Sequence, residues 1–242
     1  QRELEEAKEK AELASVAKSQ FLAAASHDLR QPLHAMGLLL GVLEDYIYDD
    51  NGQKILTRVM SSLEAMNDLF AGILDISRLD ANAVQVNEEE VSLNDIFLSL
   101  ENEFSTLAAE KNLEFRVVPT SLEVKVDRIQ CERMLRNLVS NAITYTTQGK
   151  VLLGVRRQGC FCKIIVQDTG IGISQEDSKV IFQEFRQVGN PERDRRKGLG
   201  LGLAICERLA GLLKTNVALI SKEGVGTQFS FLVPLSKKPK EK

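Results

Sequence analysis

The chain has 242 residues, with 31 Lys+Arg against 34 Asp+Glu, a net charge of −3, no tryptophan and 5% aromatic residues. That length supports one or two domains with an aliphatic core, and the lack of a basic field excludes a dedicated nucleic-acid binder. No apolar run approaches the ~18 residues that cross a bilayer and no signal-peptide pattern opens the chain, so this piece is expected to be cytoplasmic and to make no membrane contact itself, even as part of a longer membrane protein.

Residues 1–20 are rich in Glu, Lys and Ala, with Arg2–Glu6, Glu6–Lys10 and Lys8–Glu12 spaced i, i+4. This reads as a solvated helix entering from an upstream segment, with a weak seam at Leu4, Ala7, Ala11 and Ala14. The seam sharpens at Leu22, Ala25, Leu29, Pro32, Met36, Leu39 and Leu43, and again at Leu56, Val59, Leu63, Met66, Phe70 and Ile73. Two heptad helices joined across Tyr46–Gln53, whose Asp-Asp-Asn-Gly is a turn signal, make a hairpin. A lone hairpin leaves one flank uncovered, so a homodimeric four-helix bundle is expected. Pro32 removes a backbone donor and should kink the first helix.

One of the two histidines, His27, lies in Ser-His-Asp-Leu-Arg-Gln-Pro-Leu, residues 26–33. It is two positions from both Ala25 and Leu29, about 200° around a helix from each, so it points away from the seam. His34 falls on the same outward face. Imidazole is a nucleophile near neutral pH without a perturbed pKa, and the adjacent Asp28 can orient the ring or take its proton.

Residues 80–90 read as a linker, after which the pattern becomes mixed α and β. Leu93, Ile96, Phe97, Leu100, Phe104 and Leu107 mark an amphipathic helix. Strands are expected at 115–118 and 124–126, then a helix capped by Asp127 and running to about Tyr145. A hairpin over 151–156 and 161–167 turns at Gln158-Gly159. A helix over 201–213 and strands at 217–221 and 228–233 complete a sheet covered by helices. Of the four cysteines, Cys160 and Cys162 should share a strand face. With no histidine cluster near them, all four are expected to be buried free thiols of a reducing compartment.

Asn137 and Asn141 are i, i+4 on a face away from the stripe Cys131, Met134, Leu135, Leu138 and Ala142, and neutral amide oxygens suit Mg²⁺. Asp168-Thr-Gly170-Ile-Gly172-Ile places a carboxylate at a strand end, followed by backbone that must turn close to a ligand. Gly198-Leu-Gly200-Leu-Gly202-Leu opens a helix, a ready anion site. The cationic stretch 187–197 before it reads as a lid over phosphates.

Taken together these stretches resemble the sensor histidine kinases of two-component signalling, over almost the whole chain. Residues 26–33 match the phosphoacceptor motif, 137–142 (Asn-Leu-Val-Ser-Asn-Ala) the asparagine box, and 168–173, 182–185, 198–203 and 224–227 the remaining nucleotide-site boxes in order. The resemblance implies a helical hairpin forming a dimeric four-helix bundle, followed by an α/β sandwich of the gyrase/Hsp90/histidine-kinase type. The expected layout is a helical linker at 1–20, a dimerisation and phosphotransfer domain at 21–80, a catalytic ATP-binding domain at 90–236 and a tail at 237–242. It implies that His27 takes the γ-phosphate of ATP with Asp28 as base or orienter, and that the phosphoryl group passes to an aspartate of a response-regulator receiver domain, separate or fused. It also implies that Asn141 holds Mg²⁺ with Asn137 nearby, that Asp168 binds the adenine amino group, and that Gly170, Gly172 and Tyr145 shape the base pocket. Gly198, Gly200 and Gly202 would let the lid close, and Thr227 belongs to the last box.

Three positions depart from the family pattern. Gln31 stands where Thr or Asn often places water for phosphatase action, so that activity is not implied here. Thr144 replaces a common lysine, which leaves a phosphate contact to Arg136 or the 187–197 stretch. His34 replaces a small polar residue. Two rivals are an ATPase of the gyrase or chaperone type and a degenerate dimeric scaffold. The first needs a glutamate where Asn137 stands, and the second needs broken boxes where these are intact.

Overall fold

A computed structural model describes residues 31–81, 83–187 and 199–236. The expected helix at 1–20, His27, Asp28, the turn that Pro32 would kink, Gly198, residues 188–197 of the expected lid and the 237–242 tail lie outside the described residues. The chain divides into two compact units between Val84 and Gln85.

In the first unit, helix α1 (31–44) is followed by a turn and by α2 (Asp50–Asp80). The connection is shorter than the expected 46–53, because Asp49 acts as a helix cap. Its carboxylate accepts the Gly52 N–H at 2.7 Å, and Asp50 adds negative charge to the first turn. The helices pack where Gly37 faces Leu63: a Cβ at Gly37 would lie 3.4 Å from Leu63 Cδ2. Leu33 and Leu56 are buried, whereas Gln31 and His34 are exposed. Five seam residues are uncovered in the single chain, with Met36, Leu39, Leu43, Val59 and Met66 between 44 and 69% exposed.

The second unit pairs β1 (Glu89–Ser92) antiparallel with β3 (Glu123–Val126), and builds a five-stranded sheet in the order β2-β4-β5-β7-β6. The strands of this sheet are β2 (Glu114–Val117), β4 (Lys150–Gln158), β5 (Phe161–Asp168), β6 (Ala218–Lys222) and β7 (Gly226–Pro234). β2 pairs parallel with β4, and the other pairings are antiparallel. Helices α3 (Leu93–Glu110), α4 (Arg128–Tyr145) and α5 (Gly202–Leu212) supply the rest of the core. Val151, Leu153, Ile164, Val166, Phe229, Phe231 and Val233 alternate inward along the strands and are buried, as are Phe97, Leu100, Met134, Leu138 and Leu209 of the helices. Alternate positions such as Arg156, Gln167 and Ile220 are exposed, which is the pattern of an antiparallel sheet covered on one face.

Two expectations are corrected here. The end of the expected linker, Glu89 and Glu90, is the start of β1, because its backbone pairs with Lys125 and Val126; three consecutive glutamates hide a strand from composition. Cys160 is exposed and does not share a face with buried Cys162. Gly159, at φ +62°, makes the turn, so Cys160 sits in the connection and β5 begins at Phe161. Burial pushes the Cys131, Cys162 and Cys206 thiols up to about 12, which keeps them protonated and inert.

Asp127 is buried and works twice. One carboxylate oxygen caps α4 through the Gln130 N–H at 3.0 Å, and the other accepts the Asn87 N–H at 2.9 Å. It therefore fastens the segment before β1 to the start of α4. Asp127→Ala loses a cap and leaves a second donor unmet, so a loss of about 2–3 kcal/mol is expected in urea unfolding; Asp127→Asn, which keeps an acceptor oxygen, should lose less.

Candidate active site

A solvent-open cleft of about 540 Å³ of empty space lies in the second unit, between α4, the turn segment that follows β5, α5 and β7. Its polar lining comes from Asn141, Tyr145, Asp168, Arg186 and Thr227, and its apolar walls from Ile171, Ile173, Ile181, Leu203 and Phe229.

Asp168 closes β5 and is 8% exposed. Its Oδ1 accepts the Gly170 N–H at 2.8 Å and the Thr227 N–H at 3.2 Å, while among the described residues Oδ2 has no hydrogen-bond partner. Burial pushes this carboxyl above the ordinary aspartate value, and the two backbone N–H bonds oppose that rise. The result is a rigidly held acceptor at a largely apolar cleft.

The two glycines after Asp168 are required by close approach. A Cβ at Gly170 would strike the Tyr145 carbonyl, and one at Gly172, whose φ is +68°, would strike the carbonyl of Lys222. The Ile171 N–H donates to Tyr145 O at 3.3 Å and the Ile171 carbonyl accepts Gly224 N–H at 2.7 Å, so the loop is stitched to α4 on one side and to the β6–β7 turn on the other. Tyr145 itself is half-buried at the end of α4, and burial raises its pKa.

Asn137 and Asn141 both face the start of α5: a Cβ on Gly202 would lie 3.8 Å from Asn137 Oδ1 and 3.6 Å from Asn141 Nδ2. Asn141 lines the cleft. Asn137 does not line it, and its side chain hydrogen-bonds Cys206. Gly200 accepts the Phe185 N–H through its carbonyl at 3.0 Å, which draws the segment after Phe182 to the start of α5. That segment is further held by Glu184–Arg208 at 2.6 Å and by an edge-on contact of Phe182 with Phe229 at 6.5 Å.

Arg136, one of the two sources suggested for a phosphate contact, is committed elsewhere. Its guanidinium pairs with Glu103 at 2.8 Å and Glu132 at 3.0 Å, which raises its pKa. Among the described residues, the cation that lines the cleft is Arg186, one position ahead of the expected lid. Neither Arg186 nor Ser221, which bonds to Thr227 Oγ1 at 2.9 Å, was singled out by sequence. Arg186 had a usable signal, directly following Phe182-Gln-Glu-Phe185, whereas Ser221 had none.

A carboxylate held at a strand end over a Gly-x-Gly turn, facing an asparagine helix across an apolar slot, defines a class of ATP-binding module. The family model for histidine kinase-, DNA gyrase B- and HSP90-like ATPases matches residues 126–237, and that for the His Kinase A phospho-acceptor domain matches residues 17–82. The sensor histidine kinase RcsC of Salmonella typhimurium is 32% identical over 237 residues, 96% of this chain and 25% of the relative. The aerobic respiration control sensor protein ArcB homolog of Haemophilus influenzae is 36% identical over 219 residues, 88% of this chain and 66% of the relative. Among solved structures, full-length ShkA in complex with AMPPNP superposes with a TM-score of 0.75 at 27% identity, covering 89% of this chain and 46% of that one. The chain belongs to the sensor histidine kinases. It spans about 25% of the length of the RcsC relatives it matches. Among the described residues no helix is long and apolar enough to cross a membrane.

Proposed function

We propose that this chain binds ATP in the cleft of its second unit, phosphorylates itself on His27 and passes the phosphoryl group to an aspartate of a response-regulator receiver domain, on the cytoplasmic side. The observation that carries the nucleotide half is Asp168, fixed through Oδ1 with Oδ2 left as an acceptor inside an apolar cleft. Such an acceptor fits the exocyclic amino group of adenine, with the ring held between Ile171, Ile173, Ile181 and Phe229. Tyr145, Gly170, Gly172 and Thr227 shape the base end. Asn141, Gly200, Gly202 and Arg186 lie toward the start of α5 and are assigned to the phosphates, with Gly198 continuing that stretch. Asn137 is assigned a supporting role beside Asn141.

The residues present fit magnesium. Asn141 offers a neutral oxygen at the cleft, and Mg²⁺ is usually held by one or two side chains together with substrate phosphates and water. When bound, the ion neutralises charge on the triphosphate. Asn141 would hold it, and Arg186 would add a second positive charge.

His27 is assigned as nucleophile. Its ring nitrogen displaces ADP from the γ-phosphorus, and Asp28 orients the imidazole or accepts its proton. The amide at Asn137 supports transfer over hydrolysis, because it cannot deprotonate water as the glutamate of a gyrase-type ATPase would. Gln31, exposed on α1, is not assigned a phosphatase role.

The exposed apolar seam of α1 and α2 supports a homodimer, since a second copy would cover Leu39 and its neighbours. The whole chain is expected to sediment as a dimer. Leu39→Glu, at a position 69% exposed in the single chain, should shift it toward monomer with its fold intact. A wild-type monomer at micromolar concentration removes the bundle from this reading.

A further inference from the structure

Ser221 of β6 is not among the residues lining the cleft, yet its hydroxyl makes three contacts around the base end. It accepts the Ile173 N–H at 2.8 Å, lies 3.0 Å from the Gly226 carbonyl oxygen and lies 2.9 Å from Thr227 Oγ1. A serine hydroxyl has one proton to give and two lone pairs to fill. Gly226 O carries no proton, so that contact uses the proton of Ser221. The contact with Thr227 must then use the proton of Thr227. One assignment satisfies all three contacts: Ser221 donates to Gly226 and accepts from both Ile173 and Thr227.

The consequence is chemical. Thr227 is buried and lines the cleft, and its single hydroxyl proton is spent on Ser221. With that proton spent, any contact its oxygen makes with a ligand is made as an acceptor. Asp168 also meets the ligand as an acceptor, and the two residues are tied together by the Thr227 N–H to Asp168 Oδ1 bond at 3.2 Å. Asp168 and Thr227 thus present two neighbouring acceptors at the base end of the cleft, neither with a proton of its own to give.

We propose that Ser221 is a specificity-determining positioning residue: by fixing the Thr227 hydroxyl as an acceptor beside Asp168, it makes the cleft select a purine with a 6-amino donor over one with a 6-oxo acceptor. This rests on the adenine-nucleotide reading of the cleft. A 6-oxo base would set its oxygen against two acceptors, a mismatch that costs affinity because buried polar groups are left unpaired. Without Ser221, the Thr227 hydroxyl is free to rotate and donate to that oxygen.

The test is calorimetric binding of ADP and IDP to the whole chain, with thermal melting as a check on folding. The wild type is expected to prefer ADP. Ser221→Ala should reduce the ADP/IDP preference by about tenfold, chiefly by improving IDP relative to ADP, and Ser221→Thr, which restores the hydroxyl, should recover it. Thr227→Val should also lose preference, and adding Ser221→Ala to it should cause no further change. Equal weakening of both nucleotides in Ser221→Ala, or an unchanged preference, overturns the inference while leaving the nucleotide site standing. A wild type that binds both equally also overturns it. A wild type that binds neither overturns the nucleotide reading as well.

Discussion

His27→Gln should bring transfer of label from γ-labelled ATP to background, with ADP still bound at wild-type affinity. The basis is positional. His27 is one of two histidines, its spacing from Ala25 and Leu29 predicts an outward position on a helix, and it is followed by Asp28. Glutamine keeps a polar side chain of similar reach and removes the nucleophilic nitrogen, so binding and chemistry separate cleanly. Label on the wild type should be acid-labile and base-stable, as a phosphorus–nitrogen bond is. His34, exposed on α1, is the internal control. His34→Gln should label normally, and label that survives in His27→Gln but vanishes in His34→Gln would move the nucleophile to His34.

Asp168→Asn should weaken ADP binding by roughly 10–100-fold, the usual worth of one charge-assisted hydrogen bond, without lowering the melting temperature. The two halves have one cause. Asn can still accept from Gly170 N–H and Thr227 N–H through its single oxygen, so the loop stays tied. What it cannot do is offer a second, charged acceptor to the base. Its effect on stability follows from the raised pKa of Asp168. The folded state holds the proton more tightly than the unfolded chain does. Ionising Asp168 therefore costs stability, a cost absent below the unfolded pKa and fully present above the folded one. Asn removes that cost at neutral pH. For the same reason, wild-type ADP affinity should begin to fall on acidification at a higher pH than for an ordinary aspartate. A melting temperature that drops sharply in Asp168→Asn would mean that the charge holds the fold rather than the ligand.

Much of this molecule was legible as pattern. Asp127 followed by a 3.6-residue apolar period announced α4 from its cap to Tyr145, and the Gln158-Gly159 turn announced the β4–β5 hairpin. These signals are local, since a cap, a turn and a period are each set by residues within a few positions. The box residues Asn141, Asp168, Gly172 and Thr227 also stand out in sequence, and folding brings all four to one cleft. The misses are equally instructive. β1 went unseen because its pairing with β3 is decided over 30 positions away, and two of its four residues are glutamates. Arg136 looked available and is not, because Glu103 on a different helix claims it. Cys160 looked buried and is exposed, because the turn consumes it.

The sequence by itself determined the class of most segments and the order of the nucleotide-site boxes, and it alone points to His27, because periodicity, capping and motif spacing are short-range properties of the chain. Tertiary structure alone decided which polar groups still have a hydrogen bond to give or accept. Asp168 has one oxygen spent on backbone and one left. Thr227 has its proton spent on Ser221. Arg136 is claimed by Glu103, and Arg186 reaches the cleft. Those outcomes depend on which distant strand or helix supplies a partner within about 3 Å, and spacing along the chain does not encode that.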